Sequence, residues 1–224
     1  TGTSGTHQEN LDFANGELFD IAGTKYTDVT GNGITADDTG LGGVTIFIDL
    51  DGSTDLSAGD ETTVTAADGS WSFTNLDFSY AGKSVYEVLP NGYVQTVGQA
   101  GYAITGTSGA DQTGLDFANF ELFDISGTKY TDVDGDSVVD EGDTGLGGVV
   151  IFIDLDGNGL NDDGVSTVTE ADGGWSFTNL DYSYAGKTVY EVVPDGYVQT
   201  LGEAGHVITG TSGTDQENLD FANF

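Results

Sequence analysis

The 224-residue sequence has no cysteine and no methionine, only two prolines and two histidines, and just four basic residues. The absence of cysteine removes disulfides, thiol catalysis and thiolate-bound zinc. The shortage of lysine and arginine argues against nucleic acid and anionic membrane as partners, because both are held by clustered positive charge. No apolar run is long enough to cross a membrane as a helix. The two histidines, His7 and His206, stand in no constellation with a nucleophile, and there is no glycine-rich phosphate loop or paired-histidine metal motif. The parts an active site requires are missing, so no catalytic residue is assigned and the chain does not read as an enzyme.

What is present is acid. Thirty-eight aspartates and glutamates give a formal charge of −34. Such a surface favours cations, solubility and a saline medium. Acidity with few apolar residues would indicate disorder, but 37% of this chain is hydrophobic, enough for a core. The 36 glycines, with many Thr, Val and Tyr, suit strands joined by tight turns.

The chain repeats. TGTSG begins at Thr1, Thr105 and Thr209, and LDFAN at Leu11, Leu115 and Leu219, each 104 residues apart. GTKYTDV begins at Gly23 and again at Gly127. A period of this length is a whole domain. It divides the chain into residues 1–15, the trailing strand of a preceding repeat, and two full repeats, 16–119 and 120–224. LDFAN runs into FELFDISGTKY with no Pro-rich or Ser-rich spacer. The roughly five residues between strands are too few for a flexible tether. A stiff string of beads follows, with Phe120, Leu122 and Phe123 setting the angle. Before the first repeat the same join reads NGELFD, with Gly16 in place of Phe120, which predicts a looser junction.

GVTIFIDL from Gly43 alternates Val44, Ile46, Ile48 and Leu50 against Thr45, Phe47 and Asp49, the pattern of a half-buried strand. ADGSWSF from Ala67 reads as an Asp-Gly hairpin turn into a strand with Trp71 and Phe73 on one face. KSVYEV from Lys83, then YVQTV, YAITGT and LDFANF, complete the set. No window has helical periodicity. About seven short strands per repeat predict an all-β chain of tandem β-sandwiches. Trp71, Trp175 and the tyrosines read as packing residues.

The acid is concentrated in loops. In DVDGDSVVDEGD, Asp132, Asp134, Asp136, Asp140 and Asp143 hold positions one, three, five, nine and twelve, with Val138 at seven able to offer a carbonyl. That alternation wraps calcium in oxygens. Ser137 at position six and Asp143 at twelve depart from the helix-flanked version of the loop, so the match is to ligand spacing alone. A second loop, from Asp154, supplies Asp156, Asn158, the Leu160 carbonyl, and Asp162 or Asp163. The first repeat has weaker counterparts. One holds Asp28, Thr30, Asn32 and Asp37 or Asp38. The other holds Asp49, Asp51, Ser53, Asp55 and Asp60. The competing reading is a set of solvated turns.

ISGTKYTDVDGDSVVDEGDTGLGGVVIFIDLDGNG, then EADGGWSFTNL, then YEVVPDGYVQT, occur in that order. This combination resembles the SdrD B-like domains of bacterial surface adhesins, and the resemblance covers both repeats almost end to end. It implies a calcium-binding Greek-key β-sandwich related to the Cna-B (transthyretin-like) fold. It further implies Asp132, Asp134, Asp136 and Asp140 as ligands, tandem arrangement, and a secreted or cell-surface location as a rigid stalk. Thr30 and SYAGK (Ser79–Lys83) depart from the family pattern. The resemblance also raises an internal Lys–Asn crosslink promoted by a buried glutamate, with Lys25, Glu87 and Asn119 in one repeat and Lys129, Glu191 and Asn223 in the other. Against this, Lys25 reads one residue out of register, and both lysines could simply balance nearby carboxylates, worth about 0–1 kcal/mol if exposed.

Two functions follow. One is a calcium-stiffened structural repeat of an adhesin or fibre, contacting neighbouring repeats of its own chain and other copies in a fibre. The other is a binding or strand-pairing module, gripping a ligand through Tyr80, Tyr93, Tyr184 or Tyr197, or pairing chains edge to edge.

Overall fold

The computed structural model describes residues 12–224. Most of the expected trailing strand, residues 1–15, therefore lies outside the described residues, and its described part, residues 12–15, carries no strand. The first repeat contains β1 (Phe19–Thr27), β2 (Thr39–Gly40), β3 (Thr45–Asp49), β4 (Glu61–Val64), β5 (Ser70–Leu76), β6 (Ser84–Glu87), β7 (Tyr93–Val97), β8 (Tyr102–Ala103) and β9 (Phe117–Glu121). The second repeats the pattern: β10 (Phe123–Thr131), β11 (Thr144–Gly145), β12 (Val150–Asp154), β13 (Ser166–Val168), β14 (Gly174–Leu180), β15 (Thr188–Glu191), β16 (Gln199–Leu201), β17 (His206–Val207) and β18 (Phe221–Asn223). Short 3-10 turns at Phe78–Tyr80 and Tyr182–Tyr184 are the only helical pieces among the described residues.

Each repeat is a β-sandwich. One sheet runs β2-β1-β9-β7 with β5 also on β1, and the other runs β4-β3-β6-β8. Phe19, Ile21, Trp71, Phe73 and Phe117 from the first sheet meet Val44, Ile46, Ile48 and Val85 from the second. The second repeat builds an equivalent core around Ile125, Ile151, Ile153, Trp175 and Phe221. The two tryptophans are buried, as packing residues should be. Gly23 shows why glycine is needed inside β1: a Cβ there would lie 2.1 Å from the Leu115 carbonyl oxygen, where the chain returns toward the last strand.

Some local expectations are corrected. β3 is buried on both faces, because Phe47 packs on Tyr86 with ring centroids 5.9 Å apart and Asp49 is 4% exposed. The Asp68-Gly69 turn forms, with Gly69 N–H donating to the Ala66 carbonyl at 2.8 Å. The strands it joins, β4 and β5, belong to different sheets, so it is a crossing between layers and not a hairpin. Each repeat has nine strands, two of them only two residues long.

The junction is tighter than five residues. Leu122 alone separates β9 from β10. β9 pairs with β7 as far as Glu121, opposite Tyr93, while its Phe120 is fully buried in the second core. Phe120 meets Phe123 and Tyr182 edge to face at 6.1 and 5.8 Å. One strand thus serves the first sheet and fills the second core.

Candidate cation loops and buried lysine triads

The acidic loops leave the sandwich at strand ends. Each opens with a buried aspartate whose carboxylate organises the turn. Asp132 Oδ1 accepts from Gly135 N–H at 2.7 Å and its Oδ2 from Ser137 N–H at 3.0 Å. Asp143 closes the same loop, accepting from Val133 N–H at 2.9 Å and Asp140 N–H at 3.1 Å. Asp154 accepts from Gly157 and Gly159, and Asp163 closes that loop by accepting from Leu155 N–H at 2.7 Å. Asp49 and Asp60 play the two roles in the first repeat.

Three carboxylate groups converge, each with oxygens within 4.8 Å of one another: Asp49, Asp51 and Asp60; Asp132, Asp134 and Asp136; Asp154, Asp156 and Asp163. No such trio forms in the Asp28–Asp38 loop. There Asp28 binds the N–H groups of Gly31, Asn32 and Gly33, Asp38 binds Val29 and Thr35, and Thr30 is exposed. Asp140 is pushed above the usual carboxylate range by desolvation and by its neighbours Asp134, Asp136, Asp143 and Asp132. Val138 and Leu160 are exposed, and their N–H groups bind Asp136 and Asn158. Asp162 lies at the edge of its loop, 3.3 Å from the Asn158 amide nitrogen. Ser53 donates to the Asp55 carbonyl at 2.8 Å, and Asp55 is not one of the trio. An all-oxygen set of clustered carboxylates fits a hard divalent cation such as calcium.

None of the four lysines is a free surface charge. Lys83 and Lys187 donate to the Leu50 and Leu155 carbonyls at 2.5 Å, clamping the second acidic loop of each repeat. Lys25 and Lys129 are fully buried, with Nζ 2.9 Å from Glu87 Oε2 and 3.0 Å from Glu191 Oε2. Neither contact has the alignment of a hydrogen bond. The exposed-charge reading is therefore corrected. So is the register slip. Lys25 pairs with Phe117 across the parallel β1–β9 ladder. Asn119, two residues on, faces the same side. Lys129 and Phe221 repeat this arrangement for Asn223. Asn119 is fully buried with both amide atoms unpartnered, and Asn223 reaches Glu191 Oε2 at 3.4 Å. Burial lowers Lys25 to about 8 and raises Glu87, each against the attraction of the other. The Lys129–Glu191 pair is shifted in the same directions for the same reason. Both partners are driven toward their neutral forms.

The four tyrosines stand in different settings, and Tyr197 is exposed. Tyr80 and Tyr184 pack against the two cores, and Tyr93 sits in β7. His206 is held by the Asp220 carbonyl at 2.8 Å and the Phe221 ring. His7 lies outside the described residues.

No family model matches the chain, and no curated protein matches it. Among solved structures it is similar to the Bacillus anthracis TIE protein, at 19% identity over 92% of this chain and 34% of that one, with a TM-score of 0.39. It is also similar to the shaft pilin SpaA from Lactobacillus rhamnosus GG, at 15% identity over 92% of this chain and 97% of that one, with a TM-score of 0.32. GBS52, the minor pilin of Streptococcus agalactiae, is 12% identical over 92% and 95% of the two chains, with a TM-score of 0.35. The chain spans about a third of the length of the first of these. The sandwich assignment rests on the strands described above.

Proposed function

We propose that this chain is a tension-resisting structural segment of an extracellular adhesin or fibre, braced by calcium at its acidic loops and by a Lys–Asn crosslink in each repeat. One observation carries the reading. The chain enters each repeat on one strand and leaves on its parallel neighbour, β1 and β9 or β10 and β18, and these two strands carry a buried Lys and a buried Asn beside a Glu from the opposite sheet. Pulling the ends shears this ladder, so a covalent tie placed there carries the force past the rest of the domain.

The residues suit the reaction. Neutral Lys25 attacks Asn119 Cγ with its Nζ lone pair. Glu87, held as the neutral acid, gives a proton to the departing Nδ2 and takes one from Nζ. The Cγ–Nδ2 bond breaks, ammonia leaves, and an amide joins the two strands. The same steps apply to Lys129, Glu191 and Asn223. The acidic loops supply the second brace, and weak oxygen sites suffice where calcium is millimolar, as it is outside cells.

Intact-mass measurement tests the crosslinks. The expected deficit is two ammonia molecules per chain, and a full unmodified mass overturns them. Melting in calcium, against EDTA and against matched NaCl, tests the loops. A rise specific to calcium is expected, and equal melting in all three removes the cation from the reading.

A further inference from the structure

Beside each lysine triad lies a buried hydroxyl that the crosslinking steps above do not use. Thr96 in β7 and Thr200 in β16 hold equivalent places in the two repeats. Their Oγ1 atoms are sealed from solvent and have no hydrogen-bond partner among the described residues. A buried hydroxyl without a partner is costly, and here the cost is met twice, at the same place.

The strand register shows what these hydroxyls face. β7 pairs antiparallel with β9, with Gln95 opposite Asn119 and Val97 opposite Ala118. The register shifts between Gln95 and Val97, so Thr96 is the extra residue of a β-bulge. Val97 shares a face with Ala118, and Ala118 points away from the Asn119 side. Thr96, one residue before Val97, turns to the Asn119 side. The second repeat has the same shift, with Gln199 opposite Asn223, Leu201 opposite Ala222, and Thr200 between. Each bulge thus adds a hydroxyl beside an asparagine whose Oδ1 is itself buried and unpartnered. Thr200 also stands close to Asp132 and is the leading cause of that carboxyl lying below its usual range. The Asp132 N–H in turn donates to the Asn223 backbone carbonyl at 2.8 Å. Threonine, aspartate and asparagine therefore meet at the end of the β10–β18 ladder.

We propose that Thr96 and Thr200 are oxyanion donors for crosslinking, each giving its hydroxyl hydrogen bond to Oδ1 of the neighbouring asparagine. The proposal rests on the crosslink reading and supplies a group which that reading lacks. When Lys25 Nζ adds to Asn119 Cγ, an electron pair of the carbonyl moves onto Oδ1. Glu87 is engaged with the two nitrogens, so the new negative charge needs a donor of its own. The Thr96 O–H keeps its proton and donates to Oδ1 while the charge is there. The pair then re-forms the carbonyl, the Cγ–Nδ2 bond breaks, and ammonia leaves with the proton from Glu87. The threonine ends unchanged.

Removing one oxyanion donor slows such a step by about a hundredfold to a thousandfold. Thr200→Val keeps the side-chain shape and drops the hydroxyl. The 224-residue chain, made by cell-free synthesis, starts unreacted. Its intact mass is followed with time, and peptide mapping assigns each lost ammonia to a repeat. The unaltered chain should lose two. Thr200→Val should lose the first-repeat ammonia on time and the second-repeat ammonia slowed by that factor. Thr96→Val should reverse the assignment, and Thr200→Ser should restore the loss. A threonine that merely braces Asp132 or fills the bulge would lower the melting point of its repeat and leave the rate of ammonia loss alone. Calorimetry on the same samples reads that difference. Ammonia loss at the unaltered rate in both valine variants overturns the threonine role and leaves the crosslink standing. So does a serine variant that fails to restore the loss, or slowing seen only where the repeat's melting transition has vanished. An unaltered chain that keeps its full mass overturns the crosslink, and the threonine role with it.

Discussion

The two repeats share a sandwich, a buried lysine triad and a second acidic loop, and their first loops are anchored alike but differ in the carboxylates between the anchors. In the first repeat, Asp28 and Asp38 satisfy five backbone N–H groups between them, and Thr30 stands outside. In the second, Asp132 and Asp143 do the same work for the turn, while Asp134 and Asp136 add charge that crowds Asp132 and raises Asp140. The end carboxylates bind most of the loop's N–H groups, whereas Asp134 and Asp136 accept one each, from Asp136 and Val138. Their crowding exceeds what the turn requires, which is why the proposed reading makes them ligands. The junctions divide in the same way. A Phe fills the seat at the entry to the second repeat, and a Gly leaves the equivalent seat of the first as a cavity.

The largest effect should come from the feature the repeats share. Glu191→Ala removes the proposed proton carrier and leaves Lys129 buried without its partner, and Glu87→Ala does the same to Lys25. Breaking a buried Lys–Glu pair by removing one partner costs about 3–5 kcal/mol. Losing a tie across a loop of roughly 100 residues costs about 4–5 kcal/mol more on a chain-entropy model. Each variant should restore one ammonia to the intact mass and show calorimetric melting of the altered repeat far below the other. Equal losses in the two repeats would confirm that the triads are independent of the loops.

Next is the junction. Phe120→Gly makes the second repeat's entry like the first. Truncating a buried Phe costs about 3–5 kcal/mol, felt in the second core where Phe120 resides. Scattering should show a broader spread of inter-repeat angles. A melting point unchanged in the second repeat would mean that Phe120 is a spacer and not part of that core.

Third comes the loop contrast. Thr30→Asp gives the first repeat the missing middle carboxylate, and Asp134→Thr takes it from the second. Calorimetric titration with calcium should show one site gained and one weakened. A site filled at a hundred times its dissociation constant contributes about 2.7 kcal/mol, so the calcium-dependent rise in melting should move from one repeat to the other. No change in either would place the surplus carboxylates on a solvated surface.

The sandwich was legible because alternation and turn residues are local signals, and the 104-residue repeat let each half check the other. The aspartate trios were legible because ligand spacing along one loop is also local. What failed depends on pairing between distant segments. Phe47 looks exposed by alternation, but Tyr86 on the neighbouring strand covers it. The Lys25 register is invisible in the β1 sequence. It is fixed by β9, some ninety residues away, through a parallel ladder and the close approach at Gly23. Lys83 and Lys187 carried no signal except scarcity. With four cations against thirty-eight acids, every lysine is worth placing before any is called a surface charge.

The smallest effect separates a reacted triad from an unreacted one through pH. A free Lys25, lowered from 10.5 to about 8 by burial, binds fewer protons folded than unfolded between those values. Stability must then rise with pH across that window, because the unfolded chain holds the extra proton. The tyrosines work the other way from about 10 upward, since Tyr80, Tyr93 and Tyr102 are all raised in the folded state. The test window is therefore about 8 to 10. An amide nitrogen does not titrate there, so the crosslinked protein should show a flat denaturation midpoint across the window. Asn119→Ala, which keeps Lys25 and Glu87 but removes the electrophile, should show a midpoint that climbs. If the unaltered protein climbs as the variant does, its first triad is an unreacted ion pair, and the tension-bearing role falls to the strands and loops alone.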